Sequence, residues 1–255
     1  MVRTALITGA SGGIGYELAK LMANDFNLIL VARSENKLEE VKAELSPHTN
    51  VTIIPFDLAK PQAAKALYDR VHQDGHHVDT LVNNAGFGIE DLFLETDLDR
   101  LNQMLQLNMV ALTNLTYYFG QDMVHSQYGR ILNIGSIASF VPTPAMSAYA
   151  ATKAYVLSLS ESLNTELQKK GDLSVTALCP GPTATNFANE ANMQSMGESF
   201  NDIAMSPERV ASIGYHALFK KKNVSVPGKR YKFLIAFTRI LSRKMVQRLL
   251  AKSLK

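Results

Sequence analysis

The sequence predicts an α/β fold in a single domain, and three observations carry that expectation. The chain has 255 residues, 46% of them hydrophobic, enough to bury one large core, and no Pro/Gly/Ser-rich linker divides it. Short aliphatic and β-branched runs alternate with segments of helical period along most of its length. Between the first such run and the first helical segment lies a turn that holds Gly9, Gly12, Gly13 and Gly15.

Residues 4–8 form the first predicted strand, and the helical pattern that follows the glycine turn covers 16–22. Strand, glycine turn and helix are together the context that a phosphate-binding loop requires. Glycines let the backbone approach a pyrophosphate, and the helix N-terminus offers unpaired N–H groups and a favourable dipole. Residues 27–32 are the second strand, ending at Ala32 and Arg33 before a helix over 35–45. That end, about 20 residues past the loop, is where a dinucleotide site reads the adenosine ribose. An Asp or Glu there would accept from a 2′-hydroxyl and repel a 2′-phosphate. Arg33 makes the position positive, which favours NADP(H) over NAD(H).

A third strand over 50–55 leads to Asp57 and Leu58 at the same sheet edge, and Ala63, Ala66, Leu67 and Val71 mark the next helix. His76 and His77 fall in the turn after it, without a carboxylate or cysteine cluster, so solvated loop histidines are expected and no metal site. The fourth strand, 78–82, ends in Asn83, Asn84, Ala85 and Gly86. Two amides, a small residue and a glycine suit close packing of backbone against a ligand and cross-strand hydrogen bonding.

One long helix is expected over 99–124, with Leu101, Leu105, Leu112, Leu115 and Phe119 on or near one face. Asn108 is the polar member of that stripe. A buried Asn needs partners, either local carbonyls or a water held for function. The fifth strand, 129–134, places Ser136 at its C-terminal end, where open α/β sheets bind their ligands. Tyr149 and Lys153 follow at i and i+4 of a helical segment, so phenol and ammonium share one face. A tyrosine with a pKa of about 10 transfers protons poorly at neutral pH. A cation beside it is expected to lower that pKa and make Tyr149 a general acid/base.

The sixth strand, 174–179, runs into Pro180, Gly181, Pro182, Thr183 and Thr185. Residues 186–205 are polar, methionine-rich and weakly periodic, which predicts a cover over the site. Met193, Met196, Phe200 and Met205 would give it an adaptable apolar lining. Ser206 and Pro207 start a helix as N-cap and first helical residue. A short last strand is expected within 223–227. Residues 231–254 read as helical, with Leu234, Phe237, Leu241, Met245 and Leu249 at helical spacing.

The single cysteine, Cys179, excludes a disulfide framework and reads as an inert core thiol. The N-terminus runs directly into the first strand, with no signal peptide expected, and no apolar run approaches the ~20 residues of a spanning helix. The expected location is cytoplasmic. The net charge of +3 hides an asymmetry, because residues 220–255 carry 12 Lys or Arg and no Asp or Glu. The first 219 residues hold the other 14 basic residues and all 23 acidic ones, a net of −9. The basic amphipathic extension, 228–255, has a composition that can lie peripherally on an anionic membrane. The preferred expectation is that Leu234, Phe237 and Leu241 pack over the substrate pocket or another subunit. Nucleic-acid binding is not expected, since no recognition motif accompanies the charge.

With these residues laid out, residues 2–227 resemble the short-chain dehydrogenase/reductase family. Its T-G-x-x-x-G-x-G falls on Thr8, Gly9, Gly13 and Gly15, and its N-N-A-G on Asn83 to Gly86. The family's asparagine falls on Asn108, its serine on Ser136 and its Y-x-x-x-K on Tyr149 and Lys153. Pro180, Gly181 and Thr185 match P-G-x-x-x-T. The resemblance implies a Rossmann-type doubly wound parallel β-sheet of about seven strands with helices on both faces. It implies that Tyr149 exchanges a proton with a carbonyl or alcohol oxygen and that Lys153 tunes it and binds the nicotinamide ribose. Ser136 would polarise the carbonyl, and Asn108 would hold a water in a relay to Lys153. The cofactor would be held by Gly9, Ser11, Gly13, Ile14 and Gly15, with Arg33 at the ribose and Asp57 and Leu58 at the adenine. Asn83, Ala85 and Gly86 would complete that wall, with Pro180, Gly181, Thr183 and Thr185 near the nicotinamide.

Two positions depart from the family pattern. Gly12 stands where many NADP-preferring members carry Lys or Arg, and Thr183 replaces the common Val or Ile and would make the wall more polar. The expected activity is NADP(H)-dependent interconversion of a carbonyl and an alcohol, with an apolar ketone preferred as substrate. A homodimer or homotetramer is what the family implies. The competing expectation is a catalytically silent dinucleotide-binding sensor or scaffold.

Overall fold

The computed structural model describes residues 2–187, 191, 203–241 and 244–246. Seven parallel strands form one sheet in the order β3-β2-β1-β4-β5-β6-β7. They are β1 (Arg3–Thr8), β2 (Phe26–Ala32), β3 (Val51–Pro55), β4 (Thr80–Asn83), β5 (Tyr128–Ile134), β6 (Asp172–Leu178) and β7 (Val224–Ser225). The Rossmann-type doubly wound sheet expected from the motifs is therefore present, and its order reverses between β1 and β4.

Parallel strands covered on both faces must be apolar on both faces, which is why the predicted runs lack alternation. In β1, Ala5 and Ile7 face one core while Leu6 faces the other. β2 repeats this with Leu28 and Leu30 against Ile29 and Val31. The first core is closed by α1 (Gly13–Met22), α2 (Glu35–Leu45) and α7 (Pro207–Phe219), through Leu18, Met22, Leu38, Val210 and Leu218. The second is closed by α3 (Ala63–Gln73) and α5 (Leu112–Ser126), through Leu67, Val71, Leu115 and Phe119. Each fully buried side chain of this size contributes about 1.5–3 kcal/mol.

Local signals hold at the predicted helix starts. Ser206 caps α7 by accepting from the Arg209 amide, with Pro207 at the first position, and Ser34 caps α2 through the Lys37 amide. The long helix expected over 99–124 is interrupted. α4 (Leu98–Leu105) passes into a π-helical turn (Gln106–Ala111) before α5 begins, and Asn108 lies inside that turn. α6 (Ser147–Leu167) carries Tyr149 and Lys153.

The last described helix, α8 (Lys229–Ile240), is shorter than the segment expected over 231–254. It also faces differently. Tyr231 and Ile235 are its buried residues, whereas Leu234 and Phe237 are exposed, so these two do not pack over the substrate pocket, the first of the two seats expected for them. Tyr231 and Ile235 make their own i, i+4 pair, and the Tyr231 ring is seated on Gly181 in the turn after β6. Among the described residues no helix is long and apolar enough to cross a membrane.

Candidate active site

The C-terminal ends of the strands open into a cavity of about 1000 Å³ at the reversal of strand order, where a doubly wound sheet binds ligands. Its floor is the turn from β1 into α1. Gly9 (φ +66°) and Gly13 (φ +56°) adopt left-handed backbone, and a Cβ on Gly9 would stand 2.7 Å from Asn84 Nδ2. Gly15 lets α1 approach β1 so closely that a Cβ there would lie 2.5 Å from the same amide nitrogen. Asn84 fills the space by donating to the carbonyls of Thr8 (3.0 Å) and Gly9 (3.1 Å). Thr8 Oγ1 accepts from the amides of Asn84 and Ala85, both at 3.0 Å. These bonds lock the β1 and β4 loops into one rigid rim.

Gly9, Ser11, Gly13 and Ile14 line the cavity, as do Arg33, Asp57 and Leu58 at one end and Ala85 and Gly86 in the middle. Ser136, Tyr149, Lys153, Pro180 and Thr185 line the other end. Five predicted site residues act from outside the lining. Gly15 is a packing glycine. Asn83 is 3% exposed and donates to Thr116 Oγ1 (3.0 Å) and Asn133 Oδ1 (2.9 Å), so it ties β4 to β5 and α5 within the core. Gly181 lies under the ring of Tyr231. Thr183 donates its hydroxyl to the Gly181 carbonyl at 3.0 Å, so that hydroxyl is engaged away from the cavity wall. Asn108 is buried behind the wall.

At the β5 end, the backbone turns at Gly135 into a short 3₁₀ helix (Ile137–Phe140), and Ser136 Oγ accepts from the Ala138 amide at 3.1 Å. Ser139 Oγ accepts from the Ser136 amide (3.2 Å) and donates to the Lys153 carbonyl (2.8 Å), joining this turn to α6. Lys153 Nζ donates to the Ile134 carbonyl at 2.8 Å and lies 5.7 Å from the centroid of the Tyr149 ring. The Ser136 hydroxyl hydrogen-bonds Tyr149.

Burial dominates the electrostatics. It pushes the Tyr149 phenol up to about 12, against the Ser136 hydrogen bond, which lowers it. It pulls the Lys153 ammonium down to about 8 and pushes the neighbouring Cys179 thiol up to about 12. The expectation that Lys153 lowers the Tyr149 pKa is therefore not met. Both groups sit in the same dry wall, and the ammonium is turned to the Ile134 carbonyl. Tyr149 holds its proton at neutral pH, which makes it an acid in waiting.

Asn108 spends its amide on structure. Nδ2 donates to the Phe87 carbonyl (2.9 Å) and to Thr152 Oγ1 (3.3 Å), and Oδ1 accepts from the Phe87 amide (3.2 Å). Across Gly86, Asn108 and Lys153 approach each other. A Cβ on that glycine would lie 2.9 Å from Asn108 Oδ1 and 3.6 Å from Lys153 Nζ.

Several lining residues escaped the sequence reading. Lys37 and Lys60 join Arg33 at the adenine end, making three cations around it. Their signal was available, since Lys37 follows Arg33 by one helical turn and Lys60 follows Leu58 by two residues. Gln103 and Leu107 line the cavity from the α4–π segment, and Phe87 and Phe187 pack with Tyr149, the Phe187 ring 5.5 Å from the Tyr149 ring. Phe87 and Phe187 lie a hundred residues apart, so no sequence pattern joins them. Met205 bridges to Thr183 and packs on the first core, away from the lining, while Met193, Met196 and Phe200 lie outside the described residues.

The sequence model described as short chain dehydrogenase matches residues 3–195. The chain belongs to the short-chain dehydrogenase/reductase family. Nodulation protein G of Rhizobium meliloti is 34% identical over 191 residues, covering 74% of this chain and 77% of its own. A short-chain dehydrogenase from Sphingobium yanoikuyae, solved in complex with NADPH, superposes with a TM-score of 0.83 at 31% identity, covering 93% of this chain and 94% of its own. The bulky-bulky ketone specific alcohol dehydrogenase from Comamonas testosteroni superposes at 0.78 with 29% identity, over 93% and 92% of the two chains. Membership makes the protein an NAD(P)-dependent dehydrogenase/reductase. The cavity fits that cofactor class, because no described atom lies within 4 Å of a Cβ placed at Gly12 on its floor and three cations stand at one end.

Proposed function

We propose that the protein is an NADP(H)-dependent carbonyl reductase, reversible as an alcohol dehydrogenase, with Tyr149 as its general acid/base. The observation that carries this reading is the buried, protonated Tyr149, hydrogen-bonded by Ser136 at the opposite end of the cavity from Arg33. A bound nicotinamide supplies the hydride in reduction and accepts it in oxidation. Tyr149 gives its phenolic proton to the carbonyl oxygen, and Ser136 donates a hydrogen bond that orients and polarises that oxygen. Lys153, charged below about pH 8, stabilises the phenolate left behind, and it would help hold the cofactor's ribose hydroxyls. Asn108 holds the β4 loop against α6. The π turn around it offers backbone carbonyls for the relay water, since its own amide is engaged.

Gly9, Ser11, Gly13, Ile14, Ala85 and Gly86 would cradle the dinucleotide, with Asp57 and Leu58 at the adenine. Arg33, Lys37 and Lys60 favour a 2′-phosphate, and the NADPH complex of the Sphingobium relative supports that preference. The apolar walls of Phe87 and Phe187 beside Tyr149 favour an apolar ketone, in keeping with the bulky-ketone specificity of the Comamonas relative. Assembly into a homodimer or homotetramer is supported by exposed Val110 and Tyr117 on the long α4–α5 element.

The test is NADPH oxidation against a panel of carbonyl compounds, with NADH in parallel. Tyr149→Phe should lose about 10²–10⁴-fold in turnover while still binding NADPH. A variant as active as the parent would remove Tyr149 from the mechanism.

A further inference from the structure

Helix α8 has two apolar sides, and only one of them is used by the fold. Tyr231 and Ile235 are each 8% exposed, and the Tyr231 ring covers Gly181 in the turn after β6. Arg230 adds a hydrogen bond to the Ile203 carbonyl. Half a helical turn away, Phe233 is 77% exposed, and Phe237, at i+4 from it, is 48% exposed. Leu234 extends the same ridge at 51%, and Met245 beyond the helix is 50% exposed. Lys229 and Lys232 stand exposed beside the ridge. Aromatic side chains facing solvent together, next to lysines, form a surface that water alone does not favour.

We propose that α8 docks the protein on the surface of an anionic lipid bilayer. Phe233, Leu234 and Phe237 enter the boundary between headgroups and acyl chains, and Lys229 and Lys232 meet the headgroup charges. Charge decides between lipid and protein. Residues 220–255 hold 12 basic and no acidic side chains, so the segment complements a uniformly anionic surface and offers nothing to pair with a partner's cations. Its 12 residues are too few to span a bilayer, so the helix lies in the interface plane. Tyr231 of the helix covers Gly181, the chain neighbour of Pro180, which lines the cavity, so a docked molecule brings that wall close to the lipid. An apolar substrate dissolved in the bilayer would then meet the site without crossing bulk water.

The experiment is co-sedimentation of the full chain with phosphatidylcholine/phosphatidylserine vesicles and with pure phosphatidylcholine vesicles, at low and high salt. The parent should pellet with the anionic vesicles and be released by salt. Lys229→Glu/Lys232→Glu should weaken binding by at least about tenfold, since each lysine near such a surface contributes about fivefold. Phe233→Ser/Phe237→Ser should weaken it by a similar factor through lost apolar burial. NADPH binding by both variants should match the parent, because neither pair lines the cavity. A parent that stays in the supernatant, or pellets equally with neutral vesicles, overturns the proposal, as do variants that bind like the parent. Sedimentation equilibrium provides the competing outcome. If the phenylalanine variant lowers the mass of a parent oligomer in the absence of lipid, the ridge is a contact between copies of this chain and the proposal fails.

Discussion

Replacing Lys153 with methionine in the cofactor-free protein should change how stability depends on pH. Burial takes this lysine from 10.5 down to about 8. The folded state therefore binds its proton more weakly than the unfolded chain does. The cost is full below about pH 8 and is relieved as the pH climbs towards 10.5. At about 1.4 kcal/mol per unit the full cost is about 3 kcal/mol. Cys179 and Tyr149 act with the opposite sign. Both are raised to about 12, from 9.0 and 10.0, so they cost nothing while protonated and destabilise the fold once the pH passes those ordinary values. The parent's unfolding free energy should thus rise by roughly 1 kcal/mol between about pH 8 and 9, then flatten as Cys179 offsets Lys153. Lys153→Met should show no such rise. At neutral pH the variant gains by losing a buried charge and loses the bond to the Ile134 carbonyl, worth about 1–3 kcal/mol, so the slope is the clean readout. Urea unfolding of both proteins across this range measures it. Parallel pH slopes for parent and variant would refute the assignment of a strained, buried ammonium.

The same group should shape catalysis. Tyr149 keeps its proton to about pH 12, so the reductase rate should fall above about pH 8 as Lys153 discharges, and a rate flat through pH 9 would count against a role for its charge. Gly12→Arg should fold normally, because Gly12 has an extended φ of 172° and no described atom lies within 4 Å of a Cβ placed there. It should raise the preference for NADPH over NADH by about tenfold through a charge-assisted bond to the 2′-phosphate, measured as a ratio of kcat/KM values. Gly15→Ala should cost at least about 2 kcal/mol in urea unfolding, because its Cβ would stand 2.5 Å from Asn84 Nδ2 within the locked rim. Full stability in that variant would mean that the rim is softer than its hydrogen bonds imply.

Most of the sheet was legible because its inner strands are buried on both faces and so appear as unbroken apolar runs, such as residues 5–7 or 28–31. The glycine turn, the Ser206-Pro207 helix start and the Tyr149–Lys153 pair were legible for a related reason. Each is a local rule whose residues are close in sequence. The π turn at Asn108 was not, because a one-residue widening of a helix leaves the apolar stripe nearly unchanged. Lys37, in the first turn of α2, and Lys60, in the loop after β3, meet at one cavity wall only because β3 pairs with β2.

The sequence by itself determined the strand and helix order, the glycine turn and the three side chains, Ser136, Tyr149 and Lys153, that line the β5–α6 end of the cavity. Tertiary structure decided what those side chains are. The Tyr149 phenol is pushed up to about 12, and not drawn down by Lys153, because packing excludes water around it, and no spacing rule reports solvent exclusion. Asn108 is a loop clamp because Phe87 comes within reach of its amide. In α8, helical spacing produces an apolar stripe on either side, and only the seat under Tyr231 settles which one is left facing out.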